Sequence, residues 1–125
     1  MSKKAKLYKT TKQDFISFKK WCEFYLKEFG INDWTIYYKH KDVKGCVASC
    51  QTDRVSRCLI FTLAKNPAAS GKIELDIKHT ALHEVLHALV TNLSSLVYDY
   101  CSEDEHRQAE EELVCKLTNI ISSYV

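Results

Sequence analysis

Residues 80–90 read Thr-Ala-Leu-His-Glu-Val-Leu-His-Ala-Leu-Val, and this stretch constrains the chain more than any other. Ala81, Leu82, Val85, Leu86, Ala88, Leu89 and Val90 surround His83, Glu84 and His87. A helix formed here is apolar on several sides and is expected to be buried. Two imidazoles and a carboxylate inside such a helix are costly unless something satisfies them. His83 and His87 are four residues apart, so on a helix they stand one above the other and both reach one metal ion. Zinc takes such nitrogens at about 2.0–2.1 Å. Glu84 points about 100° away round the helix. It is expected to act on a water at the metal, as general base. The competing reading is a pair of core histidines bonded to backbone, with a surface glutamate between them.

A catalytic zinc site needs a third protein ligand. The last 20 or so residues offer Glu103, Asp104, Glu105, His106, Glu110, Glu111 and Glu112. Leu113, Leu117, Ile120 and Tyr124, with Val114 and Ile121, mark the expected buried stripe of a terminal helix. Carried backward, the stripe reaches Glu110 and then His106, while Glu111 and Glu112 are expected to point away. Glu110 is therefore the expected third ligand, with His106 and Glu111 as alternatives. Glu103, Asp104 and Glu105 suit the first turn of a helix, where they favour its dipole. His79, four residues before His83, is either an outer group of the site or a surface histidine. Asp76 is expected to be surface charge. Tyr98 and Tyr100 are candidate hydrogen-bond donors to an oxyanion or packing residues.

The remainder of the 125-residue chain accommodates one domain. Its 46% hydrophobic and 27% charged residues fit a globular protein rather than a disordered one. Five of the first twelve residues are Lys, although net charge is only +2. The expected division is a solvated basic tail over residues 1–10 and a single domain over 11–125. The tail is the only feature that suggests nucleic acid, which is otherwise not an expected partner. No run approaches the roughly 18 apolar residues of a membrane span, and the amino-terminal stretch has no apolar core like that of a secretory signal. A cytoplasmic location and reduced thiols are expected on that reading. Cys22, Cys46, Cys50, Cys58, Cys101 and Cys115 show no CxxC pair, so they are expected to serve as small, half-buried apolar residues rather than zinc ligands.

Thr11 followed by Asp14 reads as a helix start. Phe15, Phe18, Cys22, Tyr25 and Phe29 follow at helical steps on one face, and Gly30 stops the helix. Three strand-like runs come next: Trp34 to Tyr38, Gly45 to Gln51, and Arg57 to Leu63 (RCLIFTL). Short polar links predict an antiparallel meander, and Asn66-Pro67 closes the last strand. Helices are then expected over about residues 73–96 and 102–124. The fold class is α+β, in the order α-β-β-β-α-α.

On these residues the chain resembles the small phage- and bacterium-encoded metallopeptidase-like proteins of the gluzincin type, over about residues 10–124. The resemblance rests on Trp34-Thr35-Ile36, Ala48, RCLIFTL, residues 80–87 with their HExxH core, and Glu110 ahead of Leu113-Val114 and Leu117. It implies a minimal zincin-like core, with His83 and His87 as zinc ligands, Glu84 as base and a glutamate of the last helix as third ligand. It also implies a peptide or protein substrate, in a bacterial host cell if the chain is phage-encoded. The segment Ala109-Glu110-Glu111-Glu112-Leu113 departs from the Asn-Glu-x-x-Ser-Asp pattern of larger gluzincins, and their far-wall domain is not expected here. The expected function is a zinc-dependent peptidase-like hydrolase. The alternative is a metal-binding module without turnover that regulates or binds a protein partner. Oligomeric state is not readable from the residues.

Overall fold

A computed structural model describes residues 9–43, 45–67 and 76–124. Residues 1–8 of the expected tail lie outside the described residues. Thr10, at the tail's expected end, is buried. Its hydroxyl donates to the Ala64 carbonyl at 2.6 Å and stands 2.7 Å from His40 Nε2.

Helix α1 spans Lys12–Glu28 and begins with a capping box in which Thr11 and Asp14 satisfy each other's backbone N–H groups. Phe18, Cys22, Tyr25 and Leu26 form its buried face, with Phe15 and Phe29 packed beside them. Gly30, at φ +70°, ends it. The amides of Gly30 and Ile31 reach back to the carbonyls of Lys27 and Leu26, which is the Schellman arrangement that requires a left-handed residue there.

The sheet comprises β1 (Thr35–Lys41), β2 (Ala48–Asp53) and β3 (Cys58–Ala64) in the order β1-β3-β2. β2 and β3 form an antiparallel hairpin, whereas β1 runs parallel to β3. The sheet is thus mixed, and the expected antiparallel meander is corrected in its first pairing. Burial explains the order. β3 is apolar on both faces, with Leu59, Phe61, Leu63 and Ala64 fully buried, and only the central position covers both faces of such a strand. β1 alternates between exposed and half-buried positions, as an edge strand does.

Helix α2 (Ile77–Ser94) starts at Asp76, whose carboxylate accepts the His79 amide at 3.1 Å. Asp76 is therefore a helix cap rather than idle surface charge. The helix packs against α1, β2 and α3 and buries Ala81, Leu82, Glu84, Val85, Leu86, Ala88 and Thr91. A 3-10 helix (Ser95–Tyr100) turns the chain into α3 (Glu103–Ser122), which opens with a second capping box, Ser102 with Glu105. Phe18, Leu59, Phe61, Leu82, Leu86 and Val114 lie together in the core between sheet and helices. The sequence-predicted α+β order of one helix, three strands and two helices is the observed one.

Phe61→Ala is expected to cost about 3–5 kcal/mol in urea unfolding, since it opens a cavity in the middle strand. Tyr37→Ala, on the half-exposed edge strand, is expected to change stability by about 0.5 kcal/mol or less. Equal effects at the two positions would contradict the central placement of β3.

Candidate metal centre

Burial of α2 fixes three polar side chains in a cleft of about 640 Å³, whose lining includes His79, His83, Glu84, His87, Glu110, Glu111 and residues 45–50. The His83 and His87 rings lie 5.0 Å apart on neighbouring turns. Their partners come from α3. His83 Nε2 is 2.7 Å from Glu111 Oε1, and His87 Nε2 is 3.1 Å from Glu111 Oε2. One carboxylate therefore spans the Nε2 atoms of both imidazoles. On its other side, His87 Nδ1 is 2.9 Å from Glu110 Oε2.

Glu110 and Glu111 thus do different things. Glu110 is held by His87 and by the Ser94 hydroxyl, which donates to its second oxygen. Ser94 in turn meets His106: its hydroxyl lies 3.1 Å and its carbonyl 2.9 Å from His106 Nε2. A carboxylate on Nδ1 sets the imidazole's tautomer and leaves Nε2 for a metal. Glu111, expected as an alternative ligand, is the acid on the Nε2 side and is half-exposed there.

The placement of both acids follows from the buried face of α3. Val114 and Thr118 are its buried residues, with Leu117 and Ile121 packed behind them, whereas Leu113, Ile120 and Tyr124 are exposed. Thr118 hides its hydroxyl by donating to the Val114 carbonyl at 2.7 Å and so occupies an apolar position. The inward face of α3 therefore runs through His106, Glu110, Val114, Leu117, Thr118 and Ile121, and Glu111 stands half-exposed at its cleft edge.

Glu84 is only 7% exposed, and no described residue donates a hydrogen bond to its carboxylate. Burial pushes its pKa up to about 7; the His87 ring pulls against that shift and the Glu111 carboxylate adds to it. Burial holds His83 below the ordinary histidine value, against the opposing pull of Glu111, and so favours the neutral form a ligand needs. At His87 burial also acts downward, but the Glu110 hydrogen bond and the charges of Glu84, Glu111 and Glu110 together raise the ring's pKa. The Glu110 carboxyl is held low by its His87 hydrogen bond, against burial, with help from Ser94. Three carboxylates around two imidazoles make a pocket that attracts a cation. A nitrogen and oxygen donor set of this kind is one that zinc accepts.

The remaining candidates fall elsewhere. Tyr98 packs edge-on to His106, and Tyr100 is exposed; neither lines the cleft. His79 lines it without joining the His83–His87 pair. None of the six cysteines forms a disulfide. Cys22 and Cys50 are apolar in behaviour, since burial pushes both thiols well above their ordinary values. Cys115 is different. Its Sγ groups with His83 and Glu111, all three donor atoms lying within 4.8 Å of one another. The available signal was its spacing: Cys115 follows Glu111 by four residues, as His87 follows His83.

The described residues therefore define an α+β protein with a candidate metal-binding group between its second and third helices. No family model matches the chain, and no curated protein does. Among solved structures, the metallopeptidase zymogen of Methanocaldococcus jannaschii jannalysin is similar at a TM-score of 0.40 and 20% identity, over 80% of this chain and 96% of that one. No helix of the described residues is long and apolar enough to cross a membrane.

The Glu84 shift has a measurable sign. Between pH 4.5 and about 7 the folded chain holds a proton on Glu84 that the unfolded chain has released, so this group lowers stability as pH rises through that window. In metal-free protein, Glu84→Gln is expected to gain nothing at pH 4.5 and up to about 3 kcal/mol above pH 7 relative to wild type. Urea unfolding at the two pH values checks this; a gain that does not vary with pH would contradict it.

Proposed function

We propose that the chain is a zinc-dependent peptidase-like hydrolase in which His83, His87 and a glutamate of α3 hold the metal and Glu84 is the general base. Glu111 is the glutamate we assign as third ligand. Glu110, expected in that role from the sequence, becomes the residue that fixes His87 from its Nδ1 side. The observation that carries the reading is the convergence of both Nε2 atoms on the Glu111 carboxylate, at 2.7 and 3.1 Å, beside the buried Glu84.

His83, His87 and Glu111 would hold the zinc, which would supply Lewis-acid chemistry for the scissile carbonyl and the attacking water. Glu84 takes the proton from the attacking water and delivers it to the departing amine. Its burial supports this role, because a carboxyl lifted to about 7 is matched to proton transfer near neutrality. Glu110 and Ser94 keep the His87 ring fixed during the reaction. The substrate class is an extended peptide. The Arg57 to Leu63 run (RCLIFTL) offers no free edge to hold it, because β3 is central. β2 offers one: among the described residues it pairs on one side only, with β3, and residues 45–50 line the cleft. A peptide adding to that edge by main-chain hydrogen bonds would pass the Glu84 carboxylate.

The alternative is a metal-binding module without turnover. Cys115 beside His83 and Glu111 favours it, because structural zinc sites fill all four positions with protein ligands.

Metal analysis of purified protein should find zinc bound, and His83→Ala or His87→Ala should abolish the binding. Cleavage of a peptide library should be lost on chelation. Glu84→Gln should reduce it by about 10²-fold or more while the zinc stays bound. Zinc binding without cleavage would select the alternative, and the absence of any metal uptake would contradict both readings.

A further inference from the structure

We propose that Cys115 is a fourth ligand of the metal centre, so that the resting site is closed by two pairs of side chains, His83 with His87 on α2 and Glu111 with Cys115 on α3. This rests on the metal reading above and adds a ligand to it. Each pair is spaced four residues apart on its helix, so each presents two donors in one row. α2 and α3 pack together, and the two rows face each other across the cleft.

The spacings fit such a set. Around the Glu111 carboxylate stand His83 Nε2 at 2.7 Å, His87 Nε2 at 3.1 Å and Cys115 Sγ at 3.9 Å. In a tetrahedral zinc site with nitrogen, oxygen and sulfur ligands, neighbouring donor atoms lie about 3.3–3.6 Å apart. The donors of His83, Glu111 and Cys115 lie within 4.8 Å of one another, and His87 approaches the same carboxylate at 3.1 Å. Cys115 is exposed on its helix, so its side chain turns toward the site without disturbing the core. Cys46 and Cys50 also line the cleft, but they belong to the β2 side, away from the cluster formed with His83 and Glu111.

The consequence is chemical. A thiolate in the fourth position occupies the place where water and the substrate carbonyl would have to bind. Hydrolysis at this site then requires Cys115 to leave, whereas a centre that only binds metal keeps it.

The test is cobalt(II) substitution of the full-length, metal-stripped protein under reducing conditions, read by absorption spectroscopy. Wild type is expected to show the visible bands of a tetrahedral cobalt centre together with a near-ultraviolet sulfur-to-cobalt charge-transfer band. Cys115→Ser and Cys115→Ala should lose the charge-transfer band and bind cobalt at least about tenfold more weakly. Cys46→Ser and Cys50→Ser should keep the band. Thermal melting of the metal-free variants checks that the fold is intact. Visible bands without charge transfer in wild type, or a band that survives in Cys115→Ser, would overturn the thiolate ligand and leave the metal reading standing. Failure to take up cobalt at all would overturn both.

Discussion

The contact between α2 and α3 through His83, His87 and Glu111 is the interaction on which the rest of the site depends. α2 is held on one side by α1 and on the other by the sheet, with Leu82, Val85 and Leu86 fully buried. That burial leaves the two imidazoles a single open direction, toward α3. α3 meets them with acids because its inward face changes character along its length. Val114 and Thr118 pack into the core, while Glu110 and Glu111, one turn earlier, reach the edge of the cleft. The helix that closes the core therefore also completes the site.

The arrangement sets hydrophobic packing against electrostatics. Three carboxylates near one another raise the energy of the folded chain unless protons or a cation balance them. Burial is the main cause of the upward shift at Glu84, with the Glu111 charge adding to it, and the surrounding carboxylates raise the His87 ring. A divalent cation bound there would offset the carboxylate charge and link the two helices directly. In the proposed reading, metal binding and helix packing stabilise the same surface, and binding adds to folding stability. The Glu110–Ser94–His106 chain of hydrogen bonds extends this support to the end of α2.

Much of this was legible in the residues. The capping signals at Thr11 and the stop at Gly30 placed α1, because local backbone chemistry decides helix ends. The apolar flanks of His83–His87 identified α2 as buried. The sheet order was less legible. Short links suggested neighbouring strands in sequence order, but the two-sided apolarity of β3 outweighed them and drew it to the centre. In the site, the apolar stripe of α3 leads to Glu110, which meets His87, while the half-exposed Glu111 reaches both imidazoles from the rim of that face, a placement that periodicity alone does not register. Cys115 carries no cysteine-pair spacing, and its grouping is instead with a histidine and a glutamate that only the fold brings near.

Zinc-edge X-ray absorption on the metal-loaded protein tests the central claim most directly. The account predicts outer-shell scattering from two imidazoles and first-shell nitrogen or oxygen neighbours at about 2.0–2.1 Å, with the imidazole signature lost in the double variant His83→Ala, His87→Ala. A zinc surrounded only by oxygen, with no imidazole scattering, would contradict it.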